Sequence, residues 1–377
     1  AVSILALLLS GCDSMPTSVF TYSPPENIDD GLDVGTMAEV NIDPDLIGEV
    51  VTQIQDGQYT EIHSLLIIRD DKIVVEEYFW GHDFQWDAPY YHGEVVLHNI
   101  YTTHTVMSAG KSFTSACIGI AIDNGFIESA NQSIFDYLSD HQHLNTGGKD
   151  TITIEHLLTM TSGLEWLEWG ASNTSPDSDL FNLWIGCDDQ ITCVLEKFLA
   201  EEPGTHFAYN SGGMVLLGEI IKNATGLEIE DFSAEYLFTP LGINAPEWER
   251  FPSGITAQAS GGFYITPRDM AKLGLLYLNN GVWDGKQVIS EQWVQKSATT
   301  YPGNEGIRVP LEDVWRPGYS YTWWTKQYSY DGKKLDIFYA EGWGGQKIYV
   351  IPELDSVVVF TGGNYTSKNY NFKILKK

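Results

Sequence analysis

Apolar positions follow two rhythms along this chain. From residue 62 two β-rich runs, 63–69 (HSLLIIR) and 72–79 (KIVVEEYF), are separated by Asp70-Asp71, a hairpin pattern. A second apolar pair, 347–351 and 356–360, flanks Pro352-Glu353-Leu354-Asp355 near the other end. Between these pairs the spacing is helical. Residues 111–124 predict an apolar helix stopped by Gly125, and residues 211–225 another stopped by Gly226. Thr266-Pro267-Arg268-Asp269 opens a third that runs to Gly281, with an N-cap Thr, a Pro at the first helical position and an acid three residues on. Strands at both ends with helices between predict an α+β fold: an antiparallel β-sheet flanked by helices, built from both chain ends, with an inserted helical domain. The sheet part is expected at about 46–128 and 256–377, and the helical insertion at about 129–255.

The first nine residues, AVSILALLL, form an apolar run too short to span a bilayer. Leu9-Ser10-Gly11-Cys12 follows directly. Small residues before a Cys at the end of such a run resemble the lipobox of bacterial lipoproteins. That resemblance implies a sequence starting inside the signal (1–12), cleavage before Cys12 and a lipid on its thiol. Residues 13–45, rich in Ser, Pro, Asp and Gly, read as a tether, with the folded domain over 46–377. Cys187 and Cys193 are near enough in sequence to close a small loop, whereas Cys117 falls on an apolar helix as a buried hydrophobe. No C-x-x-C pair and no H-E-x-x-H occurs, so no metal site is expected.

Composition narrows the classes further. With 43% hydrophobic and 13% aromatic residues, the 377-residue chain has ample material for a core and is not disordered. Its 21 Lys+Arg against 51 Asp+Glu give a net charge of −30, a field that repels phosphate backbones and argues against a nucleic-acid partner.

No Ser sits in G-x-S-x-G, so an α/β-hydrolase nucleophile elbow has no support. Ser108-Ala109-Gly110-Lys111 is the one S-x-x-K. It opens the apolar helix, where free N–H groups favour developing negative charge, and Lys111 lies one turn along the same face. A Lys amine kept neutral can take the proton of a serine hydroxyl. Two further segments bear on this pair. Tyr209-Asn210-Ser211 leads into a helix, and Gly342-Trp343-Gly344-Gly345-Gln346 opens the last strand pair, where glycines let a substrate approach the backbone.

In that order, S-x-x-K, Y-x-S and W-G-G, the segments resemble the serine β-lactamase and penicillin-binding superfamily, in its class C-like branch of β-lactamases, D-alanyl-D-alanine peptidases, β-lactamase-fold esterases and 6-aminohexanoate-oligomer hydrolases. The stretches 156–164 (HLLTMTSGL) and 260–270 (SGGFYITPRDM) sit where that branch has them. The resemblance implies a β-lactamase/transpeptidase-like fold and a set of roles. Ser108 would be the acylated nucleophile, with Lys111 and Tyr209 sharing general base and acid duty. The oxyanion hole would be the backbone N–H groups of Ser108 and Gln346. Ser211 would hydrogen-bond Lys111 or the substrate, and Trp343, Gly344 and Gly345 would line the substrate site. The mechanism needs no metal or organic cofactor.

Two departures matter. Trp343 stands where β-lactamases and peptidases place Lys or His, and Ser211 where class C β-lactamases have Asn. Without that cation, an acidic chain should disfavour anionic substrates. The sequence therefore points to an exported, membrane-anchored serine hydrolase cleaving small esters or linear amides. A cell-wall peptide amidase and a non-catalytic ligand-binding member of the fold are the alternatives. The segment 165–200, rich in Trp, Asp and Ser, is expected to shape the pocket entrance.

Overall fold

A computed structural model describes residues 20–169, 175–254, 257–309, 316–330 and 332–366. Cys12 and the lipobox-like segment lie outside the described residues. The first hairpin is Ile62–Arg69 with Lys72–Tyr78, and Asp70 and Asp71 both take positive φ in its turn (50° and 60°). Two consecutive left-handed residues match the twist of the flanking strands, and Asp tolerates them. Gln346–Ile351 and Ser356–Gly362 form the second pair.

The two chain ends meet inside one eight-stranded sheet. Its order is Asp33–Val34, Lys72–Tyr78, Ile62–Arg69, Ser356–Gly362, Gln346–Ile351, Lys333–Gly342, Trp323–Tyr330 and Gly318–Ser320. All pairings are antiparallel except that of Asp33–Val34. The central seam joins Leu65 to Phe360 and Leu66 to Val359. Three of these strands, spanning 318–342, go beyond the two pairs that the apolar pattern marks. Their outer ends read as polar (KQYSY, KKLD) because that part of the sheet faces solvent, while Trp323, Trp324, Phe338 and Tyr339 are buried.

The expectation of a tether over 13–45 is corrected for residues 20–45. Leu32, Met37 and Val40 are buried in the core, Asp33–Val34 adds a strand, and the Tyr22 hydroxyl donates to the Val74 carbonyl at 2.9 Å. A few apolar anchors outweigh a linker-like composition once a sheet edge is there to receive them.

The helix Gly110–Asp123 is buried on nearly all sides, as its apolar sequence requires. Ser211–Thr225 ends at Gly226 in the left-handed conformation. Pro267–Leu278 starts from the Thr266 cap, which accepts the Asp269 N–H at 3.2 Å, and it ends three residues short of Gly281. This helix lies on the sheet against Ile348 and Val357. Arg268, 1% exposed, locks it there: its guanidinium grips Glu76 at 2.7 and 2.6 Å and donates to the Glu26 carbonyl at 2.6 Å. Cys187 and Cys193 form a disulfide, and Cys117 is free and buried. No helix among the described residues is long and apolar enough to cross a membrane.

Candidate active site

Ser108 sits in a single helical turn, Met107–Ala109, that runs straight into Gly110–Asp123. The preceding residue, Met107, is held at φ 49°, a conformation that costs an unbranched L-residue free energy and persists only under outside constraint. The constraint comes from two glycines. A Cβ on Gly261, itself at φ 127°, would collide with the Met107 carbonyl, and a Cβ on Gly342 would collide with the Val106 carbonyl. Gly261 and the end of Lys333–Gly342 thus both press against the turn, backbone to backbone.

Lys111, 1% exposed, lies one helical turn after Ser108, and its Nζ donates to Ser108 Oγ at 2.9 Å. It also reaches the Ser260 carbonyl at 3.4 Å and sits 4.9 Å from the Tyr209 ring centroid. Burial pushes the Lys111 ammonium down to about 8, against the opposing pull of the Glu168 carboxylate. Burial also pushes the Tyr209 phenol up, and Glu168 adds to the effect, although a hydrogen bond with Ser108 works the other way. At neutral pH, then, a Lys poised to lose a proton and a protonated Tyr meet at one hydroxyl. Ser108 itself is only half-buried.

Tyr209 is placed by a folded-back segment. The Ala208 N–H donates to the Met160 carbonyl at 2.8 Å, and the Ala200 N–H to the Gly163 carbonyl at 2.8 Å, so the stretch 156–164 is the scaffold of the tyrosine loop. Asn210 caps the helix Ser211–Thr225 by accepting the Gly213 N–H at 2.9 Å. The Tyr209 ring stacks on Trp169 (centroids 4.9 Å apart, 11°), with Trp324 parallel to both. Trp169 comes from the 165–200 segment.

Ser211 is not turned towards Lys111. Its Oγ donates to Glu168 Oε1 at 2.7 Å and its N–H to Glu168 Oε2 at 2.8 Å. This buried carboxylate takes the hydroxyl proton of Ser211, a partner that the sequence does not single out, and leaves the hydroxyl lone pairs free to accept. Glu168, 7% exposed, also accepts Trp166 Nε1 at 2.9 Å. Helix N-terminal N–H groups favour an anion, which explains how a carboxylate is kept there. Nothing short of tertiary structure singles it out among 51 acidic residues.

Gln346 begins the strand next to Lys333–Gly342, with Gly342 as its cross-strand partner. Its buried side chain donates to the Gly362 carbonyl at 2.6 Å, leaving the backbone to define that end of the strand. Gly344 and Gly345 turn the chain at φ 90° and 103°. Trp343 is partly buried, donates from Nε1 to the Tyr365 carbonyl at 2.8 Å, and packs edge-on against Tyr91 (4.8 Å) and Tyr365 (5.1 Å). Tyr91 and Phe84 belong to an outer hairpin, Trp80–Phe84 with His92–Leu97 and its connecting turn, that the apolar pattern did not mark. Two aromatic groups are thus built around candidate site residues: Trp169 and Trp324 about Tyr209, and Tyr91 and Tyr365 about Trp343.

The chain is 26% identical over 264 residues to the 6-aminohexanoate-dimer hydrolase of Paenarthrobacter ureafaciens (68% of this chain, 65% of that protein). It is 22% identical over 251 residues to penicillin-binding protein 4* of Bacillus subtilis (60% and 54%). The match thus spans less than two thirds of these relatives' own lengths. Among solved structures the fold matches a penicillin-binding protein from Bacillus halodurans (TM-score 0.63, 19% identity, 87% of this chain and 98% of that one) and a family VIII carboxylesterase (0.61, 16%, 86% and 92%). The family model described as Beta-lactamase matches residues 50–372, which include the Ser108 turn, Tyr209 and the Gly342–Gln346 turn, and the chain belongs to the beta-lactamase family.

Proposed function

We propose that the chain is an exported serine hydrolase that cleaves small, uncharged or amine-bearing carboxylic esters or linear amides through an acyl-enzyme on Ser108. The observation that carries this reading is the 2.9 Å contact between Lys111 Nζ and the accessible Ser108 Oγ, with Lys111 buried and its ammonium destabilised. The neutral amine takes the Ser108 proton as Oγ attacks the acyl carbon. Negative charge forming on the acyl oxygen is met by the N–H groups of Ser108 and Gln346. Tyr209 stays protonated to high pH, so it serves as the acid: it gives its proton to the departing oxygen or nitrogen and regains one from Lys111. Water then repeats the sequence on the acyl-enzyme and frees Ser108.

Substrate charge follows from the walls. An indole at 343 offers apolar contact where a cation would hold a carboxylate, and Glu168 lies close enough to act on both Lys111 and Tyr209. Both features penalise an anionic substrate. The relative named as a 6-aminohexanoate-dimer hydrolase supports the linear-amide arm. Export and anchoring through a lipid on Cys12 complete the proposal; they rest on the apolar run before Cys12, and the Cys187–Cys193 bridge suits an oxidising compartment.

The test is turnover of p-nitrophenyl acetate, of a linear amide bearing a free amine, and of a cephalosporin. The proposal expects the first or second to be hydrolysed well and the cephalosporin poorly, with Ser108→Ala losing at least about 10³-fold. A preference for the cephalosporin would overturn the substrate class, and an active Ser108→Ala would overturn the mechanism.

A further inference from the structure

Beneath the Ser108 turn lies a second cluster of reactive side chains that the acyl-enzyme mechanism does not use. His63 is on the central strand Ile62–Arg69, His98 follows the outer strand His92–Leu97, and His104 is on the short strand His104–Thr105, four residues before Ser108. All three are buried. One ring nitrogen from each lies within 4.8 Å of the others, and His63 Nδ1 and His104 Nε2 are 3.1 Å apart.

Their hydrogen bonds do not close. Of the six ring nitrogens, His63 Nδ1 and His104 Nε2 face each other and His63 Nε2 meets Glu61 Oε2 at 3.3 Å, while both nitrogens of His98 and Nδ1 of His104 are buried without a hydrogen bond of normal geometry. The Gly81 and Thr102 carbonyls back His98 and His104 through long contacts, so each ring has one nitrogen turned to the protein, and His98 keeps a buried nitrogen with no partner, which calls for an occupant. A proton on His63 Nε2, donated to Glu61, leaves the Nδ1 lone pair facing His104. That is the carboxylate–histidine arrangement that orients an imidazole towards a metal.

We propose that His63, His98 and His104 bind one divalent transition-metal ion of the zinc class, with Glu61 as the carboxylate behind His63. Imidazole nitrogens suit zinc, and three of them leave a fourth position for water. Ligand nitrogens of a tetrahedral zinc are about 3.3 Å apart, close to the present His63–His104 separation of 3.1 Å. The His98 ring now stacks on His63 (centroids 3.9 Å, 13°), so metal binding requires it to turn out of that stack about its own side-chain bonds. The adjacent trio Glu61, His82 and His92 is the weaker candidate. His82 Nδ1 already meets Glu61 Oε1 at 2.8 Å, and His92 Nε2 meets the Gly363 carbonyl at 2.8 Å. The ion pins three segments together: a central strand, the exit of the aromatic hairpin and the strand feeding the Ser108 turn. The site is independent of the proposed acyl-enzyme chemistry.

The test is metal binding to the chelator-treated full chain. Co(II) titration is expected to give one ion per chain with the visible bands of a four-coordinate site, Zn(II) to displace it, and Zn(II) to raise Tm. Weakening of Zn(II) binding should exceed about 100-fold in His98→Ala and lie between about 10- and 100-fold in Glu61→Gln, with His92→Ala unchanged. Circular dichroism checks that each variant is folded, and the wild-type stoichiometry and spectrum decide the question even where a variant does not fold. Substoichiometric metal with no Co(II) bands and no rise in Tm would overturn the site, and so would loss of binding in His92→Ala but not in His98→Ala.

Discussion

Glu168 holds Ser211 by both of its polar groups, taking the hydroxyl at 2.7 Å and the backbone N–H at 2.8 Å. A negative charge is thereby fixed within range of Lys111 and Tyr209, and in both it favours the protonated form. Replacing Glu168 by Gln keeps an acceptor for the helix N–H and removes the charge. Lys111 then loses its proton more easily, and the limb of kcat/KM that depends on it should move to lower pH by up to about one unit. An unmoved limb in Glu168→Gln would mean that the carboxylate does not tune the lysine.

The wild-type pH profile has a definite sign. Lys111 must be neutral to accept the Ser108 proton, and its ammonium is pushed down to about 8. Ester kcat/KM is therefore expected to rise roughly tenfold per pH unit below that value and to level off above it. Tyr209, held protonated by burial, should add no falling limb in the accessible alkaline range. A rate already flat from pH 6 would remove Lys111 from the role of base.

Gly261 presses against the Met107 carbonyl at a φ of 127°. Gly261→Ala should displace the Ser108 turn and cost about 10²-fold or more in kcat, since a shift near 1 Å at a reacting atom has that effect. Gly125→Ala, at a positive φ but with open space around it, serves as the control: it should lower stability slightly and leave kcat alone. Equal kcat values in the two variants would mean that the close approach does not position the nucleophile.

Arg268 is a buried cation whose partners, Glu76 and Asp30, are themselves largely buried. Arg268→Ala strands those carboxylates, and a loss of about 3–5 kcal/mol is expected in chemical denaturation. The half-exposed pair Lys222–Glu228 makes the contrast, with Lys222→Ala costing under about 1 kcal/mol. Similar losses in both would place the weight of the Glu76 contact elsewhere.

Local signals carried well where the determinant is itself local. Thr266, Pro267 and Asp269 start a helix in sequence and in space, and Asn210 and Gly226 bracket Ser211–Thr225. Ser108 and Lys111 meet because one helical turn brings them together, and Tyr209 joins them through the loop built on 156–164. What stayed hidden depends on contacts made across the fold. Glu168 differs from other acids only in its burial against Ser211. The strands over 318–342 carry aromatic and polar residues whose alternation is blurred at the solvent-facing end. Residues 20–45 look like a linker until the sheet edge gathers Leu32, Met37 and Val40. His63, His98 and His104 share no short-range spacing, and a search for metal motifs passes over them.

The chemistry stands or falls on one bond. Intact-mass spectrometry after incubation with a fluorophosphonate should show a single adduct, located on Ser108 by peptide mapping and absent from Ser108→Ala. An unmodified chain under conditions where p-nitrophenyl acetate also releases no burst of nitrophenol, or an adduct that persists in Ser108→Ala, would contradict an acyl-enzyme at this serine.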